Sequence, residues 1–221
     1  MNVEAKGPDL RTKDAPAGPR LAARTRKPRA DAERNRDRLL EAAKAAFADA
    51  GPDVSLDEIA RRAGVGIGTL YRHFPTRGAI VEAVYRREVQ QLADSATRLI
   101  GSLPPGAALH EWMRLFVDYV AAKKVIASAL GSISGGVSEL YASSGARITG
   151  AISLLVERAR ASGDIRRDVD PADLLRALVG FAYGNAGPGW EASARRLIDI
   201  LMDGLRPTRP GAAPATISKR K

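Results

Sequence analysis

From Leu39 onward, apolar residues recur at intervals of three and four, and no stretch alternates for long as a sheet strand does. The pattern predicts an all-α chain. Leu39, Leu40, Ala43, Phe47 and Ala50 make one stripe on a first helix over 31–50, with Asp31 as its cap. Gly51-Pro52-Asp53 turns the chain. Leu56, Ile59, Ala60 and Ala63 give a second, short helix an apolar face. Ser55 can cap that helix with its hydroxyl, and Glu58 three residues on would complete a capping box. Gly64 can end it, because glycine tolerates the left-handed conformation of many helix ends. Leu70 and Phe74 face a third helix inward. A fourth helix runs from Thr76 to about Ile100, with Ile80, Val84, Leu92 and Leu99 inside.

The stretch from Gly101 to Gly106, with Pro104 and Pro105 inside it, reads as a break. Beyond it, Trp112, Leu115, Phe116, Tyr119 and Val120 predict one helix, and Val125 to Ile133 a short one. A longer helix follows from Val137 to Ala161. Asp170-Pro171 opens the next, with the aspartate as cap and the proline at the first helical position. Leu174, Leu175, Leu178, Val179 and Phe181 lie on it. After Gly187-Pro188-Gly189, a last helix carries Trp190, Ala194, Leu197, Ile198, Leu201 and Leu205 as a stripe. The expected division is a basic arm over 1–30, a three-helix head over 31–77, a helical body over 78–205 and a basic tail over 206–221. Four prolines, two glycines and few large apolar groups before residue 31 leave little to offset ordering entropy, so both ends are expected to be disordered.

Charge sharpens this division. Residues 1–90 hold 18 Lys/Arg against 13 Asp/Glu, residues 91–205 hold 12 against 12, and residues 206–221 hold five against none. The excess therefore sits at the head and in the tail, where a polyanionic partner would be met. Arg20, Arg24, Arg26, Lys27 and Arg29 could form an arm that follows phosphates; a solubilising tail is the simpler alternative. Arg34, Arg36 and Arg38 lie near the start of the first helix, where cations oppose the helix dipole, so helix stability does not explain them. The chain has no cysteine, no apolar run near the roughly 20 residues of a membrane helix, and no signal-peptide core at its start. A cytoplasmic protein is expected.

With Leu70 and Phe74 inward, the third helix is left with Gly66, Ile67, Gly68, Thr69, Tyr71, Arg72 and His73 as its start and outer surface. It opens on small residues and then carries hydroxyl, aromatic, cationic and imidazole groups. Such a helix suits the major groove of double-stranded DNA, whose width admits one α-helix.

The stretch closely resembles the DNA-binding head of the TetR family of bacterial transcriptional regulators. The matching residues are Arg36, Leu39, Leu40, Ala42, Ala43, Phe47 and Gly51, then Ile59, Ala60, Ala63, Gly64, Val65, Gly68, Thr69, Leu70, Tyr71, His73, Phe74 and Pro75. The resemblance covers roughly residues 34–85. It departs at Gly66, where many relatives have serine, and at Arg77, where lysine is commoner. It implies a helix-turn-helix head on a helical ligand-binding and dimerisation body, hence a homodimeric repressor of an inverted-repeat operator, released by a small-molecule effector. Thr69 and Tyr71 then become candidates for base edges, and Arg72 for guanine or phosphate. Arg36, Ser55, His73 and Arg77 become candidates for the DNA backbone. Leu174, Leu178, Phe181, Trp190, Leu197, Ile198 and Leu201 become the expected dimer face, with internal core as the alternative. Trp112, Phe116, Tyr119 and Tyr141 are candidates for an apolar or aromatic effector, against ordinary core packing for any one of them. His110 is expected in solvent.

Other functional classes fit less well. His73 and His110 are far apart and lack an acid cluster, and Gly131 to Gly135 places Ile133 where a nucleophilic serine would stand. Gly64-Val65-Gly66-Ile67-Gly68 lacks the third glycine at dinucleotide spacing and a following Lys-Ser/Thr pair. No enzyme activity, cofactor or metal is expected. The alternative of another class is a non-specific DNA-associated structural or interaction protein, held to DNA by its basic ends and without a ligand.

Overall fold

The computed structural model describes Met1 and residues 26–131, 137–184 and 187–207, and among these it is entirely helical. The head comprises α1 (Arg26–Ala50), α2 (Leu56–Arg62) and α3 (Ile67–His73); α4 (Arg77–Ser102) leads from it into the body. The body is α5 (Pro105–Gly131), α6 (Val137–Ser162), α7 (Pro171–Tyr183) and α8 (Trp190–Leu205).

Local chemistry sets most of the boundaries. The Ser55 hydroxyl accepts from the Glu58 N–H at 3.1 Å, that of Thr76 from the Ala79 N–H at 3.1 Å, and the Asp170 carboxylate from the Ala172 N–H at 2.6 Å. Each satisfies a first-turn donor that has no partner within its helix. Gly64 ends the α2 turn at φ +65°, a conformation that costs a Cβ-bearing residue.

Three boundaries differ from the sequence expectation. α1 begins at Arg26, so Arg26 to Ala30 of the expected arm are helical; Pro28 falls in the first turn, where its missing N–H costs nothing. Asp31 is therefore not a cap but lies inside the helix, paired with Arg34. The break at Gly101–Gly106 is narrower, because α4 continues through Gly101 to Ser102 and α5 starts at Pro105. The helix around Trp112 and the one drawn from Val125 are one helix, joined through Ala121, Ala122, Lys123 and Lys124, all good helix formers. Residues 2–25 of the expected arm, 208–221 of the expected tail, and Ile133 with Gly135 lie outside the described residues.

One core runs the length of α4. Leu39, Leu40, Ala43 and Phe47 of α1 close on Ile59, Leu70, Phe74, Ile80 and Val84 in the head. Val89, Leu92 and Ala96 continue against Leu109, Trp112, Met113 and Phe116 of α5 and Ile152, Leu155 and Val156 of α6. The α6–α7 loop docks on the start of α5, where the Asp164 carboxylate accepts from the Gly106 N–H at 2.8 Å. A Cβ on Gly106 would stand 2.9 Å from the Asp164 Cβ, so the approach requires glycine.

Candidate DNA-binding face and ligand cavity

The outward face of α3 is built by what lies beneath it. Leu70 and Phe74 are buried, which turns Tyr71 and Arg72 outward; Tyr71 is 48% exposed. Neither Tyr71 nor Arg72 makes a side-chain hydrogen bond or ion pair within the described residues. Gly66 and Gly68 lie exposed at the start of this face, and a Cβ on either would meet nothing within 4 Å. Gly66 has the ordinary extended φ of −70°. The fold demands neither glycine. Thr69 and His73 are half-buried at the edges of the face, and Ile67 packs partly against the core, so it contributes less than the sequence implies. The Arg36 guanidinium lies over the Phe74 ring, 5.5 Å from its centroid, which brings α1's cation to the end of α3.

Two side chains are engaged differently from the sequence reading. Arg77 donates to the Pro52 carbonyl at 2.8 Å and to the Val54 carbonyl at 2.6 Å. It clamps the α1–α2 turn to the start of α4, so two of its nitrogens face inward rather than toward a phosphate. The capping box at Ser55 is half formed. Ser55 caps, but the Glu58 carboxylate turns to Arg61 (2.7 and 2.8 Å) and Arg62 (2.7 Å) instead of the Ser55 N–H. Hydrogen bonds from Arg61 and then Arg62 hold the Glu58 carboxyl down to about 2. Arg62 also reaches Asp49 at 2.7 Å, tying α2 to the end of α1.

The head is pinned to α4 by two further pairs. Lys44 bonds the nearly buried Glu88 at 2.8 Å, and Arg87 bonds Glu41 at 2.5 Å and the Asp37 carbonyl at 3.1 Å.

In the body, a cavity of about 260 Å³ opens between α4, α5, α6 and α7. Four tyrosines meet there, one from each helix: Tyr85, Tyr119, Tyr141 and Tyr183. Tyr85 and Tyr141 pack edge to face at 5.7 Å, and the Tyr119 hydroxyl lies 3.3 Å from that of Tyr85. Burial pushes the Tyr119, Tyr141 and Tyr183 phenols up, so all three stay protonated at neutral pH. Phe116, Ile148, Leu175 and Val179 supply apolar wall, and Lys123 stands with its ammonium 4.6 Å from the centre of the Tyr141 ring. Of the four sequence candidates for effector contact, Phe116, Tyr119 and Tyr141 line this cavity. Trp112 does not: it is fully buried, and its indole N–H is spent on the Leu92 carbonyl at 2.9 Å. The sequence reading missed Tyr85, Lys123 and Tyr183. The available signal was that Tyr85 continues the inner stripe of α4, one turn on from Val81. His110 is not simply solvated, since its Nε2 lies 2.8 Å from the Asp199 carboxylate.

The expected dimer residues divide. Leu174, Leu178 and Ile198 are buried within the subunit. Phe181, Trp190 and Leu201 are partly buried against its core, and the Lys124 ammonium caps the Trp190 ring at 3.6 Å. Leu197 alone among the seven is exposed, and the outward apolar face instead continues through Ile200, 67% exposed on α8, and Val179 on α7.

Residues 39–84 match the family of bacterial regulatory proteins of the TetR type, and residues 104–207 match the SbtR-like transcriptional-regulator C-terminal domain. A TetR transcriptional regulator from Streptomyces coelicolor is 45% identical, superposes with a TM-score of 0.71, and is matched over 99% of its length and 78% of this chain. A TetR regulator from Mycobacterium vanbaalenii is 38% identical with a TM-score of 0.69, matched over 99% of its length and 81% of this chain. An HTH-type transcriptional regulator of Staphylococcus aureus strain USA300 is 30% identical over 103 residues, 46% of this chain and 54% of the relative. The chain thus spans about half the length of the curated relatives it matches. With head and body each matching the family and a solved relative at 45% identity followed almost end to end, the chain belongs to the TetR family of bacterial transcriptional regulators.

Proposed function

We propose that the chain is a homodimeric repressor that binds an inverted repeat in double-stranded DNA and releases it when a small molecule occupies the tyrosine-lined cavity. The outward face of α3 carries the DNA reading: Tyr71 and Arg72 have no partner among the described residues, beside two glycines that the fold does not require. Thr69 and Tyr71 read base edges or a thymine methyl, Arg72 reaches guanine or phosphate, and Arg36, Ser55 and His73 set register on the backbone. One such head has a small footprint, and two heads on a symmetric site give affinity and register together. The exposed apolar face of α7 and α8, centred on Leu197 and Ile200, supports pairing of the subunits.

The cavity touches α4, which carries the head, and α7, which borders the pairing face. A ligand there shifts the heads only by binding one arrangement of the dimer better than the other.

The test is selection of random duplex DNA by the purified protein at about physiological salt. Recovery of one inverted repeat, lost in Tyr71→Ala, is the expected result. Recovery of no motif, with binding that fades as salt rises, overturns it in favour of a non-specific DNA-associated protein. If the ligand-bound dimer holds the selected operator as tightly as the free one, release by an effector is wrong.

A further inference from the structure

We propose that the tyrosine-lined cavity takes a small aromatic carboxylate, its ring among the tyrosines and its charge at Lys123. The inference rests on the reading of this cavity as the effector site and names what enters it.

The wall offers a cation and phenol hydroxyls, which donate as well as accept, and no carboxylate among the described residues. The Tyr85 and Tyr119 hydroxyls, 3.3 Å apart, share one hydrogen between them, so the pair keeps one O–H with no acceptor among the described residues. Tyr141 and Tyr183 add two more phenol hydrogens, held on by burial. The Ser144 hydroxyl is already spent on the Leu140 carbonyl at 2.6 Å. No Asp or Glu among the described residues lines the space. Among the described residues Lys123 brings the only formal charge in the lining, and its ammonium has no carboxylate partner there, resting instead on the Tyr141 ring. A cation and three hydroxyl donors without an acid call for a ligand that is an acceptor and an anion.

The remaining wall sets the body of that ligand. Five aromatic rings and Ile148, Leu175 and Val179 form a lining that is mostly apolar, suited to a flat ring met edge to face. The cavity of about 260 Å³ lies below the roughly 300–1,000 Å³ of drug-sized sites, so the ring system is small. When a carboxylate arrives, Lys123 exchanges a cation–π contact for a charge-assisted hydrogen bond, which is the stronger of the two.

The full-length protein is titrated by calorimetry with benzoate, 2-naphthoate and indole-3-acetate, each paired with its own primary amide. At least one acid is expected to bind about tenfold or more tightly than its amide, as a single charge-assisted bond allows. That preference is expected to vanish in Lys123→Met and to persist in Lys123→Arg; Lys123→Gln serves if the methionine variant does not fold. Failure of every acid to bind, amides that bind as well as acids, or a preference that survives loss of Lys123 would each overturn the proposal. The same samples are scored for release of the selected operator. An amide that binds and releases DNA leaves the effector reading standing and removes the anion. An acid that binds as expected yet leaves the DNA bound does the reverse.

Discussion

Arg77→Met separates an internal clamp from a DNA contact. Arg77 is partly buried and gives two short hydrogen bonds, 2.8 Å to the Pro52 carbonyl and 2.6 Å to that of Val54. Hydrogen bonds from a charged donor contribute about 1.5–3 kcal/mol each when the surroundings are dry. Pro52 and Val54 are themselves only partly buried, so water can replace part of the loss, and the two bonds together are placed below the roughly 3–6 kcal/mol of a dry pair, at about 2 kcal/mol. For a chain of this length that corresponds to a fall in Tm of about 4–8 °C. Methionine keeps the aliphatic stem, so the change isolates the guanidinium. The assay pairs a thermal melt with operator binding across a salt series. A clamp predicts the lower melting temperature and an unchanged slope of log K against log salt. A phosphate contact predicts an unchanged melt and a slope smaller by about one. The second pattern would refute the structural assignment and restore the role implied by the family resemblance.

Gly68→Ala should raise stability by up to about 1 kcal/mol, because alanine is the better helix former and its methyl meets nothing within the subunit. The same variant should bind the operator more weakly in a mobility-shift assay; unchanged binding would mean that α3 does not approach DNA closely at its start. Ile200→Asp, on the exposed face of α8, should give monomers by sedimentation with its helical circular dichroism intact. Leu178→Ala, in the subunit core, should instead lower stability by about 2–5 kcal/mol. The Glu58 pair has a defined pH window. Its carboxyl is depressed from 4.5 to about 2, so its stabilising contribution is full above about 4.5 and is lost as pH falls through about 2. Glu58→Gln should therefore melt lower than the parent at pH 6 and converge with it in strong acid, and a constant gap at all pH values would contradict the assignment.

The features legible in the sequence were those written locally. A cap and its helix are neighbours in the chain, so Ser55, Thr76 and Asp170-Pro171 announce their helices without tertiary information. The inward set of the head, Leu39, Phe47, Ile59, Leu70 and Phe74, follows from spacing alone, and the outward set of α3 is its complement. What the sequence hides is the identity of the neighbour. Arg77 reaches carbonyls 23 and 25 residues away, and nothing near it in the chain marks those bonds. A wide apolar stripe on α7 or α8 does not say which part meets its own subunit, so Leu174, Leu178 and Ile198 could not be told from Leu197. Tyr85, Tyr119, Tyr141 and Tyr183 converge only when four helices are packed together, and Trp112 drops out for the same reason.

The attachment of the head to α4 has a geometric consequence. With Arg77 holding the α2 entry and with Lys44–Glu88 and Arg87–Glu41 holding α1, the first half of α4 is fastened to the head at several points. α4 has 26 residues and so is about 39 Å long. A rotation of about 5° around its far end sweeps the near end through about 3.4 Å, and in the proposed dimer two subunits turning oppositely would change the span between their α3 helices by about 7 Å. Successive major grooves on one face of the duplex lie about 34–36 Å apart, a distance that DNA does not readily alter. In the proposed dimer, a tilt small enough to leave the side-chain packing around Trp112 undisturbed would still set one α3 against the edge of its groove.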